Sequence, residues 1–163
     1  KRIALVWNPA QPYVENYVQT VETAARRLGV TLVPWTASTP KELIHALDQV
    51  AAANVHAMFV ISDPLLGYER TRIVEFANGH RLPGVYFWRE FAMEGGLASY
   101  GASLTSVYRR AATYVDKILK GAKPGDLPVE QPTTFELVIN RDTAKAMGIT
   151  IPQAMLIRAE VIP

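Results

Sequence analysis

Short apolar runs alternate with longer, one-sided apolar segments along the first 87 residues of the chain. The runs are almost continuous, which is typical of strands that a parallel sheet covers on both faces. They occupy residues 3–7, 31–35, 57–61 and 84–87. The segments between them have apolar residues at helical spacing and predict helices over residues 13–28, 40–53 and 66–78.

Local signals at the segment ends support these helices. Thr39 and Glu42 stand three residues apart around Pro40, as in a capping box, and Gly29 and Gly79 follow the first and third helices. Strands that alternate with helices through short loops build a parallel sheet, and right-handed crossovers place helices on both of its faces. The predicted fold class is therefore α/β, with a doubly wound parallel sheet.

The chain after residue 95 is organised differently. Gly95 and Gly96 permit a sharp turn, residues 97–101 form a short segment, and residues 104–119 carry apolar positions on one helical face. A proline-rich arm follows over residues 121–132. The last predicted elements are a strand, a short helix and a tail with a candidate edge strand, at residues 135–139, 141–147 and 149–163.

Composition and charge narrow the class of protein. The 163 residues are 49% apolar and 20% charged, which is ordinary for one globular domain. Lysine and arginine number 17 against 15 acidic residues, so the net charge of +2 indicates no nucleic-acid surface. The apolar runs are far shorter than the ~20 residues that span a bilayer. No signal peptide is visible and Lys1 is not an initiator, so we expect a processed or trimmed chain.

No motif for a metal, a cofactor or catalysis is recognisable. Cysteine is absent, which excludes disulfides and thiolate chemistry. His45, His56 and His80 lack metal-ligand spacing, and the sequence contains neither a phosphate-binding loop nor a nucleophile elbow. We therefore expect no cofactor, no metal and no enzymatic activity.

Polar and aromatic side chains follow three of the predicted strands. Ligands of open parallel sheets bind beyond the carboxyl ends of the strands, where these side chains lie. Asp63 or Glu90 could accept hydrogen bonds from a ligand ammonium group, and the aromatic rings could stack on an apolar or aromatic group. The candidate ligand-binding residues are Trp7, Asn8, Tyr13, Ser62, Asp63, Trp88 and Glu90.

Each candidate also has a purely structural interpretation. Asp63 precedes a proline and could simply cap the third helix, although capping and ligand binding can coexist. Asn8 could only stabilise a turn through its side chain. Trp7 and the other aromatic residues could belong to the core or to an interface between lobes. These alternatives remain open at the level of sequence.

Three sequence stretches carry a resemblance to a known family. They read R-E-F-x-x-x-G-G-L-x-S-Y-G from residue 89, Y-R-R-A-A-x-Y-V-D-K-I-L-K-G-A-K-P-x-D-L-P-V-E-Q-P-T from residue 108, and F-E-L-V-I-N from residue 135. They resemble the ABC-transporter substrate-binding proteins of the group that includes tryptophan/tyrosine transport binding proteins. Weaker similarity extends back to Lys1, so the resemblance covers essentially the whole chain.

The resemblance implies a lobe like those of periplasmic binding proteins, with a type I-like topology and the first lobe largely absent. Residues 1–95 are expected to form the second ligand-binding lobe. Residues 96–134 are expected to comprise a hinge-crossing segment, a helix and the proline-rich arm. A returning strand, a short helix and the tail complete the division at residues 135–163.

The resemblance also implies a function. Such a protein is the solute-binding component of an ABC importer, which closes two lobes about a hinge and delivers its ligand to an inner-membrane permease. An amino acid or aromatic acid is the expected ligand, and the periplasm or another extracytoplasmic compartment the expected location. Without its first lobe the chain should bind ligand weakly, and its exposed lobe interface is a candidate surface for self-association.

Two other classes of protein share this architecture. One is the ligand-sensing effector domain of a regulator, which would require a DNA-binding segment upstream. The other is a small doubly wound enzyme with Asp63 as its acid–base residue, for which no partner group is recognisable.

Overall fold

A single seven-stranded sheet organises the computed structural model, which describes residues 1–12 and 14–163. Its strands are, in chain order, β1 Arg2–Trp7, β2 Thr31–Thr36, β3 Ala57–Val60, β4 Gly84–Tyr86, β5 Ala98–Ala102, β6 Phe135–Asn140 and β7 Glu160–Ile162. The spatial order is β2-β1-β3-β4-β5-β6-β7. All neighbouring strands are parallel except β5 and β6. The predicted α/β class with a doubly wound, mostly parallel sheet is confirmed.

Eight α-helices and one short 3-10 turn connect the strands within the described residues. They are α1 Val14–Leu28, α2 Pro40–Ala52, α3 Pro64–Tyr68, α4 Arg70–Gly79, α5 Arg89–Met93, α6 Leu104–Leu119, the 3-10 turn Pro124–Asp126, α7 Arg141–Ala146 and α8 Gln153–Leu156. In the described part of the chain, no helix is both long and apolar enough to span a membrane.

The start of α2 shows how local sequence sets a boundary. The Thr39 hydroxyl accepts a hydrogen bond from the Glu42 amide at 3.2 Å, and the Glu42 carboxylate accepts one from the Ser38 amide at 2.8 Å. Pro40 occupies the first turn, where a missing N–H costs nothing. The predicted capping box therefore forms, with its reciprocal bond directed one residue earlier than usual.

Two groups of buried residues hold the sheet. The larger group lies between β1, β3 and β4 and the helices α2, α3, α4 and α5, and it includes fully buried Leu43, Leu66 and Ile73. The smaller group packs β5 and β6 against α7. Helix α6 contributes to neither group, since none of its 16 residues is buried.

The structure departs from the sequence-based expectations in three places. The single helix predicted over residues 66–78 is divided at Glu69 into α3 and α4. Helix α5 was not predicted. Residues 98–102 form a paired strand, β5, where the sequence indicated only a short segment. The predicted edge strand in the tail is confirmed as β7.

Strand β5 forms through tertiary contact rather than local preference. Its sequence, Ala-Ser-Tyr-Gly-Ala, contains no β-branched residue. A Cβ added at Gly101 would lie 2.1 Å from the carbonyl oxygen of Phe87, so only glycine allows this approach of the two backbones. The strand is therefore fixed by its neighbours in the sheet.

Candidate functional site

The loops that carry the candidate residues meet at one edge of the sheet. Strands β1, β3 and β4 are adjacent and parallel, so their carboxyl ends point the same way. Trp7 ends β1, Ser62 lies between β3 and α3, and Trp88 lies between β4 and α5. These three residues are half-buried. Tyr13 lies outside the described residues.

A buried hydrogen bond joins the first two loops. The Asn8 Nδ2 atom donates to Asp63 Oδ2 at 2.7 Å, and both residues are more than nine-tenths buried. The Gln11 side chain donates to the same oxygen at 3.2 Å. The Asn8 side-chain oxygen accepts a hydrogen bond from the Ala10 amide at 3.0 Å, which shapes the loop after β1. The sequence placed Asn8 and Asp63 at one edge, and the structure brings them into direct contact.

Asp63 is also the N-cap of α3. Its Oδ1 atom accepts a hydrogen bond from the Leu66 amide at 2.7 Å, and Pro64 occupies the first turn. One carboxylate thus receives three hydrogen bonds, two from the loop after β1 and one from the first turn of α3. The capping interpretation of Asp63 is confirmed, and the same side chain ties the β1 loop to the β3 loop.

Trp88 is placed by a glycine in α3. A Cβ added at Gly67 would lie 1.9 Å from the Trp88 ring, so the indole occupies space that a larger residue would fill. The ring packs against the larger buried group of the core. Asp63 therefore acts on Trp88 indirectly, because it caps the helix that carries Gly67. Sequence inspection missed Gly67, since nothing local marks a glycine inside a helical segment as a contact.

Helix α5 is tied to the neighbouring strands. The Arg89 guanidinium donates to Glu136 at 3.3 Å and to Glu160 at 2.8 Å, and its hydrogen bond to Glu160 raises the pKa of Arg89. The Asn140 side chain donates to the Ala92 carbonyl at 3.1 Å. These contacts fix the orientation of a five-residue helix that would not form alone.

The carboxylates at this edge differ in their partners. Glu94, at the end of α5, accepts hydrogen bonds from Arg70 and Thr71. Glu90 has a buried Oε2 atom that receives no hydrogen bond from any protein group in residues 1–12 and 14–163. The Tyr86 hydroxyl is likewise buried and has no hydrogen-bond partner among these described residues, and burial raises the pKa of this phenol.

Further aromatic side chains lie where β5 ends and the antiparallel β6 begins. Tyr100 and Phe135 stack with ring centroids 6.0 Å apart, and each ring is about half exposed. Phe87, which follows β4, is also exposed. The sequence analysis selected neither Tyr100 nor Phe135 as a site residue, because their proximity depends on the register of β5 and β6.

A separate groove lies away from these strand-end loops. It has a volume of about 670 Å³ and runs between α6 and the proline-rich arm. Its apolar lining includes Val107, Ala111, Ile118 and Leu127. The strand-end loops do not contribute to it.

A family model and a curated relative that match this chain both describe binding proteins. The family model described as ABC transporter substrate binding protein matches residues 1–162. A curated "tyrosine-binding protein" from Clostridioides difficile (strain R20291) is 23% identical over 149 residues, which are 91% of this chain and 43% of that protein.

Two solved structures share the fold over 99% of this chain. One is a conserved domain protein from Vibrio cholerae, with a TM-score of 0.89 and 28% identity. The other is an ABC domain from Streptococcus pneumoniae in complex with L-Trp, with a TM-score of 0.90 and 25% identity. The chain covers 54% and 56% of these two proteins, so it spans about half the length of the relatives it matches.

Proposed function

Because the chain belongs to the ABC transporter substrate binding protein family, we propose that it forms one lobe of a solute-binding protein. In this proposal a small molecule binds between this lobe and a second one, and the closed protein delivers it unchanged to a permease of the inner membrane. The protein acts outside the cytoplasm, as expected for its family. Its role is binding rather than catalysis.

The observation that carries the proposal is the hydrogen-bonded edge of the sheet. Asn8, Gln11 and the Leu66 amide converge on Asp63, and this cluster fixes two strand-end loops relative to each other. Trp88 extends the same edge from β4. A rigid edge with aromatic and polar side chains suits one wall of a ligand site.

A second lobe would supply the opposite wall. The similar proteins are about twice as long as this chain, and α6 buries none of its residues within it. We assign residues 1–95 to the ligand-binding lobe, residues 96–134 to the connection with the other lobe, and residues 135–163 to the returning segment. Closure about this connection would bring both walls onto the ligand.

The ligand class we propose is an amino acid with an aromatic side chain. The Streptococcus pneumoniae relative was solved with L-Trp, and the Clostridioides difficile relative is a tyrosine-binding protein. Trp7 and Trp88, both half-buried at the strand ends, could contact an aromatic ring.

Calorimetry on two forms of the protein tests the two-lobe site. L-tryptophan, L-tyrosine and L-leucine are titrated into residues 1–163 and into the longer protein that joins them to a second lobe. We expect the longer protein to bind an aromatic amino acid at least 100-fold more tightly than residues 1–163 do. Equal affinities in the two forms would refute a site between lobes, and a preference for leucine would refute the ligand class.

A further inference from the structure

We infer that Glu90 is the carboxylate that accepts the α-ammonium group of the ligand, whereas Asp63 positions the loops without contacting that group. This inference rests on the proposed function and deepens it. Both residues lie at the carboxyl ends of adjacent strands and could each accept a cation by chemistry alone. Their hydrogen-bond partners distinguish them.

Asp63 is engaged by the protein itself. Its Oδ1 atom takes the Leu66 amide, and its Oδ2 atom takes the side chains of Asn8 and Gln11. The residue is only 5% exposed. A ligand ammonium group would therefore meet a buried carboxylate that already accepts three hydrogen bonds from the protein.

Glu94 and Arg89 are also engaged. Arg70 and Thr71 contact the two oxygens of Glu94. Arg89, the cation adjacent to Glu90 in sequence, bonds to Glu136 and Glu160 instead. Glu94 is therefore occupied by protein donors and does not compete with Glu90 for a ligand cation. Arg89 is paired with other carboxylates.

Glu90 alone among these three carboxylates has an oxygen that is buried and receives no hydrogen bond from the described residues. Leaving a buried carboxylate oxygen without a donor is unfavourable, and each such atom in a folded protein calls for an explanation. An ammonium group offers three N–H donors and a positive charge, which match this acceptor. Because this oxygen is buried in the structure, a ligand would reach it after rotation of the Glu90 side chain, which breaks no hydrogen bond to that oxygen from the described residues.

The surroundings of Glu90 favour selective binding. Helix α5 is fixed through Arg89 and through the Asn140 bond to Ala92, so the backbone that carries Glu90 is held in place before ligand arrives. The preceding residue, Trp88, is held against Gly67.

The test compares L-tryptophan with indolepropionate, which is the same molecule without its ammonium group. Binding of both probes is measured by calorimetry on the two-lobe protein, with wild type, Glu90→Gln and Glu94→Gln. The glutamine at position 90 keeps the shape and removes the charge. Glu94→Gln makes the same change four residues later on a carboxylate that has protein partners.

We expect wild type to bind tryptophan about 10- to 100-fold more tightly than indolepropionate, as a charge-assisted hydrogen bond would give. Glu90→Gln should remove this preference by weakening tryptophan binding alone. Glu94→Gln should leave both affinities within about twofold. An unchanged preference in Glu90→Gln, or equal weakening of both probes, would overturn the inference.

The comparison of tryptophan with indolepropionate on wild-type protein tests the inference even if Glu90→Gln fails to fold. Equal affinity of wild type for tryptophan and indolepropionate would overturn the role of Glu90 while leaving the proposed function intact. A wild-type protein that binds neither tryptophan nor tyrosine would instead overturn the proposed ligand class, and the inference with it.

Discussion

Two regions of this molecule bury their apolar side chains to very different extents. In the sheet body, defined as residues 1–102, side chains such as Leu43 and Ile73 are completely buried. In the α6–arm unit, defined as residues 103–134, no residue of the helix is buried, and Ile118 remains 39% exposed. The helix is nevertheless one-sided, so its apolar face is specified by sequence but is not covered within this chain.

The contacts that hold the two regions differ accordingly. The sheet body is held by a core that several helices share. The α6–arm unit is held by exposed polar contacts: Tyr114 donates to the Pro128 carbonyl at 2.7 Å, and Arg110 pairs with Glu130. Burial is worth kilocalories per side chain, whereas exposed ion pairs contribute little. We therefore expect the sheet body to determine the free energy of unfolding of residues 1–163. Truncations in the α6–arm unit should affect it strongly only when a second lobe covers α6.

An isoleucine-to-alanine substitution should lower the free energy of unfolding far more in the sheet body than in the α6–arm unit, and this is the largest effect we expect. Ile73→Ala in α4 removes a fully buried side chain and should lower the free energy of unfolding by about 2–5 kcal/mol. Ile118→Ala in α6 should lower it by less than about 1 kcal/mol, because that side chain is already partly in water. Urea unfolding of residues 1–163 measures both. Both sites are helical, so the change in helix propensity is common to the pair.

Similar losses in the two variants would contradict the comparison. The second lobe, if it covers α6 as proposed, should also raise the cost of Ile118→Ala in the longer protein. If Ile118→Ala lowers the free energy of unfolding by the same amount with and without that lobe, the result would argue against a contact between α6 and the second lobe.

Two glycine-to-alanine substitutions, one in each region, should change the free energy of unfolding by less than the Ile73→Ala substitution does. Gly67→Ala directs a methyl group into the Trp88 ring and should cost about 1–3 kcal/mol of unfolding free energy, with a change in indole fluorescence. Gly125→Ala, in the arm, meets nothing within 4 Å and should be neutral or stabilise by up to about 1 kcal/mol. Neither glycine has a positive φ, so backbone strain does not enter. Equal stabilities would mean that Trp88 moves away without cost.

The three departures from the sequence-based expectations all lie in the sheet body, although its first four strands were predicted. Strands β1 to β4 were predicted because each is a short, nearly continuous apolar run, a pattern that depends on local composition alone. The break at Glu69 was missed because residues 66–78 keep helical spacing across it. Strand β5 was missed because its small residues have little strand preference, and pairing with both neighbours determines its conformation.

The sequence was enough to predict which loops form the candidate site, but not which side chains contact one another within it. The strand-end rule placed Asn8, Asp63 and Trp88 at one edge, since it needs only the order of strands and helices. It could not show that Gln11 joins the Asp63 cluster or that Gly67 receives the indole. It also could not separate Asp63 from Glu90, because a carboxylate's partners come from residues distant in sequence. Only the packed structure supplies that distinction.

The smallest expected effect lies in the α6–arm unit and depends on pH. The hydrogen bond from Arg110 lowers the pKa of Glu130 from 4.5 to about 2. A lowered folded-state pKa means that the contact stabilises the fold above the ordinary carboxyl pKa and loses its contribution as pH falls through the folded value. The Arg110–Glu130 contact should therefore persist at pH 4 and weaken toward pH 2. Because the pair is exposed, salt should reduce the effect.

An NMR titration of the Glu130 carboxyl resonance measures this directly. We expect a midpoint well below 4.5 in wild type and a rise toward the ordinary value in Arg110→Gln, because that variant removes the principal donor. Resonances of Leu43 and Ile73 should not follow the Glu130 titration, since the sheet body makes no use of this ion pair. An ordinary midpoint in wild type would mean that the arm is not held on α6 in solution. Covariation of the core resonances with Glu130 would instead show that the two regions are energetically coupled.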